Sequence, residues 1–409
     1  ASEGEKAYLF FGLRRGGSEY YALDITDPVN PSLAWKITNQ GAFSQLGETW
    51  SKPTMAKLRY LKSGTLRFEH VLVFGGGYDN RLDDATLASS GTPPADIKGN
   101  GVYIVNARTG DLIWSYSGRD LKHSVPSNIQ VLDIDRDGSI DRLYFGDTGG
   151  NIWRADLNID DVDDDASKHD VTNDARVSKF ASLGGSGVNA RKFFYEPDVA
   201  IFKHQGKGTS VMSIGSGYRA HPLDASINDR FYVLHDENVF AIPTTPPTPL
   251  TEADLANSSA LAGNSFLPTY KGWYKELTNG DGEKVLASPL IFQNKVVFTT
   301  FTNTSGAAPA GDGCAATSTK ETRAYVLDLM AARATVDLDG SGSVDGSDQS
   351  TLISRGDILA APQVVFNKPK DCTHKGCKQD ADIRVGKKLI PLHKNSISDY
   401  LPKVFWINK

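Results

Sequence analysis

A chain of 409 residues with 44 Lys and Arg against 49 Asp and Glu, net charge -5, lacks the basic excess of a nucleic-acid surface, so nucleic acid is not the expected partner. Hydrophobic residues at 39% can bury a core, which excludes a disordered chain. The 39 glycines and 19 prolines suit short strands and tight turns better than long helices. No apolar run reaches the roughly 18 residues of a membrane helix. The opening ASEGEKAYLFFG lacks a signal-peptide layout and begins without Met, as a fragment or processed chain would.

In chain order, one unit recurs: a proline opening a short apolar strand, at WSKPTMAKL, HSVPSNIQVLD, FYEPDVAIF, LASPLIF and LAAPQVVF. The prolines are Pro53, Pro126, Pro197, Pro289 and Pro362, at intervals of about 73, 71, 92 and 73 residues. Proline suits the first residue of a strand, where a missing N–H breaks no ladder bond. A second apolar strand follows, often ending in glycines (HVLVFGGGYDN, DRLYFGDTGGN, TSVMSIGSGYR), and then a third (NGVYIVNARTG, NIWRADLN, DRFYVLHD, TRAYVLDL). Antiparallel blades follow from that spacing. The chain starts inside the unit, with KAYLFFGLRRGG and EYYALDIT, and stops inside it, so its ends are expected to complete shared blades. The expectation is an all-β fold, a β-propeller of five or six blades, as a single domain over residues 1–409. Surface insertions are expected near 156–190 and 240–265, the latter holding the Pro/Thr-rich AIPTTPPTPLTEADLANSSALAG.

Between the first and second strands of the second unit lies DIDRDGSID, with Asp133, Asp135, Asp137, Gly138, Ser139 and Asp141. Carboxylates at positions 1, 3, 5 and 9, a turn glycine at 6 and the Ser139 carbonyl at 7 form the oxygen set of a Ca²⁺ loop in EF-hand order. Its flanks read as strands, and Tyr144 stands where an EF-hand has its bidentate Glu. A plain acidic turn at this spacing would set four carboxylates against one another. A second candidate calcium loop, DLDGSGSVDGSD over 337–348, offers Asp337, Asp339, Ser341, Ser343, Asp345 and Asp348 with fewer carboxylates, and is expected to bind more weakly. The acidic run Asp160 to Asp170 lacks a turn glycine and reads as a solvated loop.

VFGGGYDN, DIDRDGSIDRLYFGDTGGNIWRADL, RKFFYEPDVA, GSGYR followed by HPL, and GEKVLASPLIF followed by VVFTTF together resemble the C-terminal domain of the PilY/PilC type IV pilus biogenesis and tip-adhesin family, over nearly the whole chain. The resemblance implies a modified seven-bladed propeller with Ca²⁺ on Asp133, Asp135, Asp137, the Ser139 carbonyl and Asp141. It also implies an exported protein at the pilus tip, cell surface or outer membrane, reached through the periplasm. Its partners would be pilins or minor pilins and, on the adhesin side, a host-cell receptor. Its role would be calcium-dependent control of pilus extension and retraction, twitching motility and surface attachment, with no enzymatic activity. In an exported protein Cys372 and Cys377, with four residues between them, are expected to pair and leave Cys314 free; a metal site using His374 is the alternative.

Two other classes share features with this chain. The calcium motif alone also fits the propellers of integrin α-chains, a ligand-binding module. VNARTGDLIW resembles one repeat of the quinoprotein dehydrogenases, but it occurs once and their adjacent cysteine pair is missing, so no quinone is expected. His123, His221 and His393 share no local motif with a nucleophile and an orienting acid, and read as isolated polar loop residues. Arg355-Gly356-Asp357 could present a cation and a carboxylate to a host integrin, with chance occurrence as the rival.

Overall fold

The computed structural model describes residues 6–84, 95–157, 170–171, 175–204, 207–240, 242–243, 245–260, 270–305, 318–367 and 380–391. These residues form six sheets in two compact units. Unit 1 draws on 1–196 and 240–249, unit 2 on 197–239 and 250–406. Cys314, Cys372, His374, Cys377, His393 and all but Asp170 of the acidic run lie outside the described residues.

Unit 1 contains three sheets. The first has β1 (Tyr8–Gly12), β2 (Tyr20–Asp24) and β3 (Ser32–Ile37). The second has β4 (Thr54–Lys62), β5 (Thr65–Gly75), β6 (Gly101–Asn106) and β7 (Leu112–Ser117). The third has β8 (Gln130–Leu132), β9 (Arg142–Gly146), β10 (Asn151–Asp156) and β11 (Arg176–Ser182). All are antiparallel meanders.

Unit 2 repeats the plan. Its first sheet has β12 (Asp198–His204), β13 (Lys207–Gly215), β14 (Arg230–Asp236), the short β15 (Ala256–Asn257) and β16 (Gly272–Glu276). The next has β17 (Lys284–Val285), β18 (Leu290–Phe292), β19 (Lys295–Ser305), β20 (Ser318–Asp328) and β21 (Ser350–Arg355), and the last β22 (Gln363–Asn367), β23 (Asp380–Val385) and β24 (Lys388–Pro391). The all-β expectation holds. The described residues give six sheets, beside five or six blades read from the repeats and seven implied by the resemblance. The stretch near 156–190 supplies β11, and that near 240–265 supplies β15.

Proline placement follows the physical reading closely. Pro53, Pro197, Pro289 and Pro362 stand directly before β4, β12, β18 and β22, and Pro126 stands a few residues before β8. Tight hairpins carry the left-handed residues that two-residue turns require: Ser63 and Gly64 (φ 50° and 74°) between β4 and β5, Gln293 and Asn294 (φ 47° and 60°) between β18 and β19.

The second strands read as continuous apolar runs because both faces of their sheets are covered. In β5, Val71 and Val73 join Leu143, Phe145 and Trp153 in one core cluster, while Leu72 and Phe74 join Tyr20, Trp35 and Tyr103 in another. In β19, Val296 and Phe298 pack with Phe231 and Trp273, and Val297 with Val326 and Ile383. An aromatic stack recurs in both units. Phe74 stacks on Tyr103 at a centroid distance of 5.7 Å with Tyr20 tilted against it at 4.2 Å, and Phe231, Phe298 and Tyr325 stack at 3.7 and 4.6 Å.

Candidate metal centre

The loop between β8 and β9 is wound by its own carboxylates. Asp133 accepts the N–H groups of Arg136 and Gly138 at 2.7 and 3.0 Å, Asp135 that of Asp137 at 3.0 Å, and Asp137 that of Ser139 at 2.6 Å. Gly138 takes φ 91°, which a side chain would strain, and Arg136 takes φ 72° despite its side chain. Asp141 closes the loop: its N–H donates to Leu132 O at 2.8 Å and its Oδ2 accepts Ile134 N–H at 2.5 Å.

Strand β4 of the neighbouring sheet holds the loop in place. Ile140 N–H donates to Lys57 O at 2.9 Å, Arg59 N–H to the buried Ser139 hydroxyl at 2.9 Å, and Arg59 Nη1 lies 3.2 Å from Asp137 Oδ2. Sequence reasoning gave Ser139 a carbonyl role and missed this use of its hydroxyl, because the partner is 80 residues away in the chain.

Asp133, Asp135 and Asp141 each bring one carboxylate oxygen within 4.8 Å of the others. Asp137, expected as a fourth ligand, is not in this group and faces Arg59. Asp141 Oδ1 is buried and accepts no hydrogen bond. Burial first, then the neighbouring Asp135, Asp133 and Asp137, push the Asp141 carboxyl up to about 7. The same causes in the same order, with Asp137 and Asp135 as neighbours, raise Asp133. The protein alone thus disfavours the charged forms of Asp133 and Asp141, and an all-oxygen, anionic donor set with an unused buried oxygen fits a hard divalent cation.

The second loop lies between β20 and β21 and repeats the winding. Asp337 accepts Gly340 and Gly342 N–H at 2.7 and 2.8 Å, and Asp339 accepts Ser341 N–H at 2.9 Å. Asp337, Asp339 and Asp348 form the acidic group here. Its electrostatics differ from those of the first loop. Buried Asp348 is already served by the backbone, Oδ1 by Leu338 and Asp339 N–H and Oδ2 by Asp345 N–H. Asp345 caps the 3₁₀ turn Gly346–Gln349 by accepting Ser347 N–H at 2.8 Å, and stands outside the acidic group. Hydrogen bonds from Ser341 and Ser347 hold Asp339 low, and those from Ser347 hold Asp345 low. Ser341 and Ser343 bond each other, Ser341 Oγ to Ser343 O at 3.1 Å.

Arg355-Gly356-Asp357 ends β21 on the surface. Arg355 pairs with Glu321 at 3.2 Å and Asp357 Oδ2 accepts Ser354 Oγ at 3.2 Å, so both charges are engaged within the molecule. His221 packs its ring against Tyr218, centroids 4.8 Å apart. No helix among the described residues is long and apolar enough to cross a membrane.

Largely antiparallel sheets, five of the six described ones containing a proline-led strand and one carrying an acidic hairpin loop beside its neighbour, define a β-propeller with a candidate cation loop. Residues 2–189 match the family model described as the PilY1 beta-propeller domain. The type IV pilus biogenesis factor PilY1 of Pseudomonas aeruginosa is 32% identical over 159 residues, 38% of this chain and 12% of that protein. A PilY1 homolog of Xylella fastidiosa is 24% identical over 423 residues, 91% of this chain and 26% of that protein. The chain therefore spans about an eighth to a quarter of the length of these relatives. The crystal structure of the P. aeruginosa PilY1 C-terminal domain superposes with a TM-score of 0.63 at 21% identity, covering 95% of this chain and 83% of that one. These matches bear out the resemblance to the C-terminal domain of the PilY/PilC family, and with it the β-propeller fold.

Proposed function

We propose that this chain is a calcium-binding β-propeller acting in type IV pilus biogenesis, and that the loop Asp133–Asp141 is its calcium site. One observation carries the site: the buried Asp141 Oδ1, without a hydrogen-bond donor, among Asp133 and Asp135 at EF-hand spacing. Asp133, Asp135 and Asp141 would hold the ion, with the Ser139 carbonyl and, once released from Arg59, Asp137. The ion would supply the positive charge that the cluster lacks. The naming of the relatives as pilus biogenesis factors supports a pilus-associated location, and pilins or minor pilins as partners, rather than an enzyme.

A partner that contacts only the calcium-ordered loop binds in proportion to occupancy and in return raises calcium affinity. This links the loop to the balance of pilus extension and retraction, twitching motility and surface attachment. The test is calcium titration of the purified chain by calorimetry, paired with twitching and surface-pilus assays. Asp141→Ala should weaken calcium binding and shift that balance, and Asp141→Lys should partly restore the calcium-loaded behaviour. Normal motility and piliation in an Asp141→Ala strain that has lost this site's calcium would reduce the ion to a structural role.

A further inference from the structure

The hairpin of β4 and β5 runs beyond the sheet that it begins. Strand β6 joins β5 only from Val71, so among the described residues 65–70 pair in the ladder with β4 alone. Side chains alternate across a strand, which sets Met55, Lys57, Arg59 and Leu61 of β4 on one face with Leu66, Phe68 and His70 of β5. That face is apolar and basic, and it carries no carboxylate of its own. Glu69 belongs to the opposite face, where it accepts the Tyr60 hydroxyl at 2.8 Å and Asn106 Nδ2 at 2.7 Å.

Two apolar side chains of this face lack cover. Met55 is 54% exposed and Phe68 47%, whereas Leu58, Tyr60 and Val71 of the other face are buried in a core cluster. Lys57 Nζ and the Arg59 guanidinium each stand 5.5 Å from the centre of the Phe68 ring. The two cations are not equivalent. Arg59 meets Asp137 of the acidic loop at 3.2 Å, while Lys57 has no ion pair or side-chain hydrogen bond among the described residues. Phe68 also reaches the loop itself, its ring tip lying 3.6 Å from where a β-carbon on Gly138 would stand. An exposed aromatic ring, two cations and the acidic loop thus share one surface.

We propose that this face, centred on Phe68 and Lys57, is the docking site of a partner segment that sets an apolar side chain beside Asp or Glu, and that calcium in the adjacent loop tightens the contact. The coupling rests on the reading of the 133–141 loop as a calcium site. Charge decides the occupant: in a chain of net charge -5, this face offers Lys57, Arg59 and His70 and no acid of its own. The apolar anchor packs on Phe68 and Met55, and a carboxylate pairs with Lys57. Calcium acts through Arg59. An ion that takes Asp137 as a ligand removes the carboxylate that Arg59 now meets, so the guanidinium beside Phe68 turns to the incoming segment and the face gains a second cation to pair. By linkage, a segment that engages Arg59 releases Asp137 and raises calcium affinity.

Peptide selection on the purified chain tests this. A random dodecapeptide library displayed on phage, selected with calcium present, should enrich sequences that set an aromatic or aliphatic residue beside Asp or Glu. The enriched peptide, titrated by calorimetry, should bind at least about tenfold more weakly to Phe68→Ser and about threefold to tenfold more weakly to Lys57→Gln. Leu33→Ser, a change at another exposed apolar residue, should leave its affinity unaltered. Removing calcium should weaken the peptide by about threefold to tenfold. Arg59→Gln separates the two sites: it should bind calcium more tightly and the peptide more weakly, and calcium should no longer strengthen the peptide. If the wild-type chain takes up no calcium, the calcium reading and the coupling fail together, and the face is judged by Phe68→Ser and Lys57→Gln in the metal-free chain. Calcium uptake that leaves peptide affinity unchanged would overturn the coupling through Arg59. No enriched sequence, an enriched sequence without acidic residues, or binding that Phe68→Ser and Lys57→Gln leave unchanged would overturn the docking site.

Discussion

Arg59 and a bound cation compete for Asp137. Arg59→Gln keeps the backbone N–H bond to Ser139 but removes the guanidinium 3.2 Å from Asp137, which frees a carboxylate and lowers the local positive charge. Calcium affinity, read by calorimetry, should rise by about threefold to tenfold. Asp141 supplies a pH signature. Its carboxyl lies near 7 in the folded chain against 3.8 ordinarily, so between those values the folded state holds a proton that the unfolded state has lost. The contribution of Asp141 to metal-free stability should therefore be fully present below about pH 4 and be lost as pH rises through about 7, the opposite of an ion-paired carboxylate. Thermal melts across pH 4 to 8 should show this slope in the difference between the metal-free chain and Asp141→Asn, and show it reversed with calcium, because protons then compete with the ion. The loop's carboxylates were legible in the sequence because their spacing is local. Arg59 was not, since it meets Asp137 through a neighbouring sheet. The capping role of Asp345 was not legible either, because an Asp that caps a 3₁₀ turn and an Asp offered to a metal occupy the same place in the pattern.

At the scale of single elements, the two acidic loops share a winding and differ in what their last carboxylate does. Asp348 takes three backbone N–H groups, so Asp348→Ala should leave those donors buried and cost about 2–4 kcal/mol by denaturant unfolding, with or without calcium. A loss seen solely in the presence of calcium would instead make Asp348 a ligand. Strands β9 and β10 carry a related hazard. Buried Asp156 accepts Arg142 Nε at 2.5 Å and Arg154 Nε at 2.8 Å, and Asp156→Ala would leave two buried guanidiniums without this carboxylate. A loss of about 3–5 kcal/mol is expected, and Asp156→Asn should lose less because its amide oxygen still accepts. The apolar second strands were readable as strands from their runs alone. The proline-led strands were readable from repetition, and β11 and β15 were not, because each lies in polar sequence without the repeat's opening proline.

For the molecule as a whole, stability rests on sheets packed face to face, and the recurrent aromatic stacks mark where two sheets of a unit meet. Phe298 lies between Phe231 of one sheet and Tyr325 of its own, and is fully buried. Phe298→Ala should cost about 3–5 kcal/mol, while Phe298→Leu should cost less by keeping most of the volume. Blade number resisted the sequence because partial units at the two ends of the chain leave the repeat without a clean start. The grip of β4 on the acidic loop has a mechanical meaning. Under the proposed pilus role, the domain would be pulled upon as fibres extend and retract. The bonds from Lys57 and Arg59 to the loop run across two sheets, which makes the loop a joint through which tension passes between them. An ion that stiffens the loop stiffens that joint, and in single-molecule pulling the force that parts the two sheets should rise with calcium and fall in Asp141→Ala.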